Sequence, residues 1–280
     1  MLMTLPQPKA GKGTSADTPR ALQGRAAIVT GSTSGIGLGI ARALAQAGAD
    51  VMLNGLGVAA DIEKVRASLA EDASVEVRYD GADMSKPEAI SAMIEQANSA
   101  FGKIDILVNN AGIQFVSPLE TFPQAKWDAI LAINLSAAFH ACRGVFADMK
   151  ARKWGRIINV ASAHGLIASP YKAAYVAAKH GVVGLTKVMA LEGAESGITA
   201  NAICPGYVWT PLVEQQIEDQ ARSHGISKEK VIRDVLLAQQ PNKRFATVEE
   251  LGALTVFLST EAGASITGTA LPVDGGWTAH

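Results

Sequence analysis

From Arg25 onward, short apolar, β-branched runs alternate with longer stretches in which apolar residues recur every three or four positions. The short runs cover residues 26–30, 51–54, 75–79, 104–108, 155–161, 199–203 and 270–273. Their near-continuous apolar character predicts strands buried on both faces, as in a parallel sheet covered by helices. The longer stretches predict helices over 36–47, closed by Gly48, then 62–69, 87–101 and 127–150. Ser169-Pro170 predicts the start of a further helix, with Ser169 as N-cap and Pro170 at the first helical position. Repeated β-α-β order predicts an α/β fold, a doubly wound parallel seven-stranded sheet in a single domain over residues 23–280.

Two segments break the rhythm. Residues 1–22 carry Pro6, Pro8 and Pro19 without a periodic apolar face, which predicts a flexible extension; a weak organellar presequence is the alternative. Between Pro205 and Arg244 the pattern holds helices over 212–220 and 228–240, more than a crossover needs. Their place after the sixth strand, over the carboxyl edge of the sheet, predicts a substrate lid over 207–243 or an extra helical hairpin without a gating role.

Composition narrows the function classes. The net charge is −1 over 280 residues, which gives no electrostatic ground for nucleic acid or acidic lipid as partners. No apolar run is long enough to span a membrane. The two cysteines, Cys142 and Cys204, lack metal or redox spacing and predict buried thiols in a reducing, cytoplasmic compartment, with no metal site.

Candidate chemistry sits at strand ends. Thr30-Gly31-Ser32-Thr33-Ser34-Gly35-Ile36-Gly37 joins the first strand to the first helix. Gly31 allows the sharp turn, Gly35 and Gly37 admit close backbone approach, and N–H groups from Thr33 to Gly37 face a dinucleotide pyrophosphate. The end of the second strand is Asn54-Gly55 instead of an acid, with no Arg or Lys nearby for a 2′-phosphate. NAD is therefore the expected cofactor. Tyr175 and Lys179 lie four residues apart and share a helix face, as does Lys172. A lysine at about 5 Å lowers a phenol pKa by roughly two units, which predicts Tyr175 as proton acceptor for an alcohol, with Ser162 hydrogen-bonding the reacting oxygen. Gln114, His164, Lys172 and Gln216 suit a small carboxylate, and Tyr207 and Trp277 a short apolar group. Each also has a plainer reading: solvated lysine, lid surface, or subunit packing for Trp277.

The spacing Thr-Gly-x-x-x-Gly-x-Gly, with Asp83, Asn109-Asn110-Ala111-Gly112, Asn134, Ser162, Tyr175/Lys179 and Pro205-Gly206 in order, resembles the short-chain dehydrogenase/reductase family from about Leu22 to the C-terminus. The resemblance implies a Rossmann-like fold and a nicotinamide cofactor. It implies Asp83 at the adenine edge, Asn110 and Ala111 at the adenosine ribose, and Val208 and Thr210 at the carboxamide. Met84, Gly112, Pro205 and Gly206 complete the cofactor set. It gives Lys179 a contact to the nicotinamide ribose and makes Asn134 the anchor of a proton-carrying water chain. The stretches 31–41, 109–114, 162–166 and 211–217 resemble bacterial D-3-hydroxybutyrate dehydrogenases. That likeness implies oxidation of (R)-3-hydroxybutyrate to acetoacetate, a carboxylate held by Gln114, His164, Lys172 and Gln216, and a homotetramer. Tyr207 stands where many relatives carry Trp. Rival expectations are a 3-oxoacyl thioester reductase, another short-chain alcohol dehydrogenase and a non-catalytic NAD-binding scaffold.

Overall fold

The computed structural model describes residues 20–279. Most of the expected N-terminal extension, residues 1–19, lies outside them. Seven strands, β1 (Ala26–Val29), β2 (Asp50–Asn54), β3 (Val77–Asp80), β4 (Ile106–Asn109), β5 (Gly155–Val160), β6 (Ile198–Pro205) and β7 (Ala270–Val273), form one sheet. Its order is β3-β2-β1-β4-β5-β6-β7 and every pairing is parallel. The helices are α1 (Gly35–Gln46), α2 (Ala59–Ala73), α3 (Pro87–Phe101), α4 (Gln124–Leu131), α5 (Ala137–Arg152), α6 (Ala173–Gly193), α7 (Pro211–His224), the single turn α8 (Lys228–Lys230) and α9 (Val248–Ser259).

Strand alternation assigns side chains to two cores. Ala27, Val29, Val51, Leu53, Ile106 and Val108 face α1, α2 and α9, where they meet Ile40, Leu44, Leu69 and Leu251. Ile28, Met52 and Leu107 face the other way, toward Ile90, Met93, Val145, Met149 and Met189 of α3, α5 and α6. Both faces of these strands are thus buried, so the apolar runs lack polar alternation.

Three expected elements differ. The helix expected over 127–150 is α4 and α5 joined by a π-helical turn, Ala132–Ser136, which brings Asn134 into the interior. α6 begins at Ala173, not at Ser169-Pro170. The Ser169 hydroxyl pairs with the His164 ring at 2.8 Å instead of capping, and Tyr171 adopts φ +67, a left-handed conformation that no helix start accommodates. The second lid helix, expected to reach Gln240, ends after α8 and a π-helical turn, Val231–Leu236. Beyond it the fully buried Gln240 pins both ends of the segment, accepting from Tyr207 N and donating to the Arg244 carbonyl at 2.8 Å.

Candidate active site

The strand order reverses direction at β1, with β2 on one side and β4 on the other. Loops leaving these adjacent carboxyl ends diverge, and such a crevice is where open α/β sheets bind ligands. A cleft of about 1130 Å³ opens there, lined by the glycine turn, residues 110–114, Ser162, Tyr175, Lys179 and Pro205-Gly206.

The glycine turn is built to admit a phosphate. Gly31 has φ +62, and a Cβ on Gly37 would lie 2.2 Å from the Gly31 oxygen. The turn is tied to the next strand end, since Thr30 Oγ1 accepts from Asn110 N at 2.9 Å and Ala111 N at 3.0 Å. Ser34 makes no side-chain cap on α1, and no acidic residue occupies its first turn. The leading N–H groups of α1 therefore keep their capacity for an anion. These features fit a dinucleotide. Thr33, Ser34, Gly35, Ile36, Gly37, Ala111, Gly112 and Thr210 line the cleft as expected.

Other expected cofactor residues are engaged elsewhere. Asn54 is fully buried. Its Oδ1 accepts from Gly31 N at 3.2 Å, and its Nδ2 donates to the carbonyls of Asp80 at 3.2 Å and Ala82 at 3.0 Å. The carboxamide thus braces the turn through both of its polar atoms. Gly55 and Leu56 line the cleft there beside Thr33, with Leu56 73% exposed. Asn110 Nδ2 is likewise occupied, at 2.9 Å from both the Thr30 and Gly31 carbonyls, and its backbone N donates to Thr30 Oγ1 at 2.9 Å. Asp83 is exposed and accepts from Ser85 N, Met84 is buried, and Val208 bridges to Ala246.

Ser162, at the end of β5, and Tyr175 and Lys179, on α6, converge on the cleft. Lys179 Nζ lies 5.6 Å from the Tyr175 ring centroid and donates to the Val160 carbonyl at 2.8 Å. Burial pushes the Lys179 ammonium down to about 8, from 10.5. Burial also raises the Tyr175 phenol above its ordinary value, and the hydrogen bond with Ser162 only partly opposes this. The sequence predicts a phenol acidified by its lysine; in the ligand-free protein desolvation wins. Asn134 is buried and its carboxamide pairs with Ile113, accepting from N at 2.8 Å and donating to O at 2.9 Å.

Beside this centre runs an aromatic row. His164 meets Tyr175 with ring centroids 6.0 Å apart and Trp277 at 5.2 Å, both edge-on. Trp277 in turn stacks on Tyr207 at 6.0 Å with a 2° interplanar angle. Both His164 nitrogens have hydroxyl partners in this ligand-free structure, Nδ1 with Ser162 Oγ at 3.4 Å and Nε2 with Ser169 Oγ at 2.8 Å. Burial first, then the Lys172 and His180 charges, pushes its pKa down to about 4, which keeps the ring neutral near pH 7. Lys172 is half-buried, has no ion-pair partner among the described residues, and has its pKa lowered by burial. Gln114 is exposed at the cleft. Gln216 lies on α7, but its side chain is outside the described residues; its neighbour Gln215, not anticipated from sequence, lines the cleft. Gly55 and Leu56, at the strand end read for a 2′-phosphate, also line the cleft, and Thr30 of the glycine stretch braces the turn from behind. Among the described residues no cluster of His, Cys, Asp or Glu could hold a metal ion.

A family model described as short chain dehydrogenase matches residues 25–221. A D-beta-hydroxybutyrate dehydrogenase of Rhizobium meliloti is 56% identical, covering 91% of this chain and 99% of its own. A D-beta-hydroxybutyrate dehydrogenase of Cupriavidus necator is also 56% identical, covering 92% of this chain and 100% of its own. Among solved structures, a candidate short-chain alcohol dehydrogenase from Sinorhizobium meliloti superposes with TM-score 0.83 at 34% identity, covering 94% of this chain and 99% of its own.

Proposed function

The chain belongs to the short-chain dehydrogenase family, and from that premise we propose that it interconverts (R)-3-hydroxybutyrate and acetoacetate with NAD as hydride carrier. The observation that carries this reading is the convergence of Ser162, Tyr175 and Lys179 on one cleft, beside a half-buried Lys172 that has no carboxylate partner among the described residues. The family brings the nicotinamide, and the relatives' names bring the acid.

A bound nicotinamide supplies the hydride acceptor in oxidation and the donor in reduction. In oxidation, Tyr175 Oη takes the hydroxyl proton as the carbon loses hydride; in reduction the phenol returns it to the forming alkoxide. Ser162 donates to the same oxygen and fixes its position. Lys179 supplies a cation that favours phenolate over phenol. The Asn134 side chain is occupied by Ile113, so a proton exit at this residue runs through its backbone. Lys172 and Gln114 hold the substrate carboxylate, and the Tyr207–Trp277 stack walls its methyl group. The α7–α8 segment, pinned at its base by Gln240, acts as the lid.

The test is a panel of short hydroxy acids with NAD, read by the near-ultraviolet absorbance of the reduced nicotinamide. (R)-3-hydroxybutyrate leads the panel, and its uncharged ester is turned over poorly. Lys172→Ala raises KM for the acid by about 10- to 100-fold, the value of one charge-assisted hydrogen bond, and leaves KM for NAD unchanged. Equal activity on acid and ester would exclude the carboxylate grip.

NAD preference rests on what surrounds Gly55 and Leu56. Among the described residues lining the cleft, Lys179 is the sole cation. A 2′-phosphate would meet the Leu56 side chain and no Arg or Lys. kcat/KM with NADPH is expected to fall at least about 100-fold below that with NADH, given the cost of an unpaired anion. Comparable values for the two cofactors would overturn the assignment.

A homotetramer accords with surplus apolar helix surface. Against the expectation that no apolar run is long enough, Gln124–Arg152 is apolar enough by length and composition to cross a membrane, and 39% of its most apolar 18 residues are buried within the described chain. With Phe139, Val188 and Leu191 exposed on α5 and α6, contact between subunits explains this better than lipid. Buried free Cys142 and Cys204 suit a reducing cytoplasm.

A further inference from the structure

We infer that Gln240 is a positioning residue for substrate selectivity: through the backbone of Tyr207 it sets the place of the Tyr207–Trp277 wall, and so the length of chain the pocket takes. This rests on the 3-hydroxy acid reading above and deepens it.

The partners of the Gln240 amide fix its orientation. The Tyr207 N–H can only donate and the Arg244 carbonyl can only accept, so Oε1 faces Tyr207 and Nε2 faces Arg244. Gln240 is fully buried, so bulk water replaces it at neither group. The other side of Tyr207 is also held. Its carbonyl accepts from Ala246 N at 3.0 Å, and Trp209 N donates to the Ala246 carbonyl at 2.9 Å. The backbone over 207–209 therefore hangs between Ala246 and Gln240, and a single side-chain oxygen anchors the Tyr207 N–H.

Trp277 is placed by its own turn. The Asp274 carboxylate accepts from Gly276 N at 3.0 Å and Thr278 N at 2.9 Å, and Asn242 N donates to the Gly275 carbonyl at 3.2 Å. Gly206 joins this turn to Gln240. Its N–H donates to the Val273 carbonyl at 3.1 Å, and a Cβ there would lie 2.5 Å from Gln240 Oε1 and 3.0 Å from Asp274 Cα. The wall thus has one ring fixed by the Asp274 turn and one set by Gln240. The two rings lie parallel within 2°, and the aromatic row continues from Trp277 through His164 to Tyr175. A displaced Tyr207 changes the space at the alkyl end of the substrate. It leaves Tyr175 and Lys179 in place, since α6 carries both.

The ratio of kcat/KM for (R)-3-hydroxybutyrate to that for (R)-3-hydroxypentanoate measures this, because one methylene in an apolar pocket is worth about 10- to 200-fold. Gln240→Met, of similar size but unable to hold either backbone group, is expected to lower the ratio about tenfold, with kcat on 3-hydroxybutyrate and KM for NAD within about threefold of wild type. Gln240→Glu keeps an acceptor for Tyr207 N and is expected to keep the wild-type ratio. Both variants disturb the same buried site, so a merely structural role would move both ratios alike. In a Tyr207→Ala background Gln240→Met causes no further change, because the ring it places is gone. An unchanged ratio in Gln240→Met, an equal loss in Gln240→Glu, or full additivity with Tyr207→Ala would overturn the inference. If Gln240→Met does not fold, Gln240→Asn, whose amide is one methylene too short to span both groups, takes its place with the same expected loss. Trp277 emission, identified by its loss in Trp277→Phe, needs no substrate and shifts in Gln240→Met as the stacked phenol moves. A wild type idle on both acids would sink the substrate reading, while an unshifted emission would sink this one.

Discussion

Tyr175→Phe binds NADH as wild type does and turns over 3-hydroxybutyrate about a thousandfold more slowly, within the range for loss of a positioned acid–base group. The substitution removes one oxygen and keeps the ring, so the edge-on packing against His164 survives. Titration of NADH by fluorescence and steady-state kcat separate the two effects. Residual turnover within tenfold of wild type would assign the proton transfer to another group. The direction of the pKa shift adds a second signature. Burial raises the Tyr175 phenol, so the protonated form prevails at neutral pH in the ligand-free protein. Oxidation, which needs a proton acceptor, gains in kcat/KM as pH rises through the alkaline range. Reduction, which needs the donor, is favoured below it. Phe at this position removes both slopes.

How much of this was legible in the sequence differs by residue. The glycine turn could be read because its function requires glycine at fixed spacing: a Cβ at Gly37 would sit inside the Gly31 carbonyl. Tyr175 and Lys179 could be paired because helical periodicity alone puts them on one face. Strand identity was clear wherever both faces of the sheet are buried. The failures share a different cause. Asn54 and Gln240 each use a side chain to satisfy backbone groups far along the chain, and Ser169 pairs with a ring earlier in its own loop; strand and helix periodicity carries no record of such partners. Ser169-Pro170 has the local chemistry of a helix start, yet the His164 ring, earlier in the same loop, claims the hydroxyl. The direction of the Tyr175 shift was missed for the same reason. Proximity of a lysine is visible in sequence, whereas the burial that opposes it depends on the completed fold.

Lys179→Met is expected to cost about a thousandfold in turnover and to make the cofactor-free protein more stable, because the ammonium sits where only catalysis needs it. It is 96% buried, and its pKa falls from 10.5 to about 8 by burial. That shift corresponds to roughly 3 kcal/mol of destabilisation borne by the folded state while the group is charged. Methionine removes this cost with a side chain of similar length, but leaves the Val160 carbonyl without its donor, a loss of about 1–2 kcal/mol. The net gain of about 1–2 kcal/mol raises Tm by about 3–6 °C near pH 7. The pH dependence fixes the cause. Below about 8 the lysine is protonated in both folded and unfolded chains, and the folded chain bears the full penalty. Between about 8 and 10.5 the unfolded chain holds the proton and the folded chain releases it, so wild-type stability rises relative to the variant. The Tm advantage of methionine therefore shrinks as pH is raised from about 7 toward about 10, and calorimetry at both values measures it. A methionine variant less stable than wild type at neutral pH, or an advantage that does not change with pH, would mean that Lys179 is held charged by a partner strong enough to offset its burial.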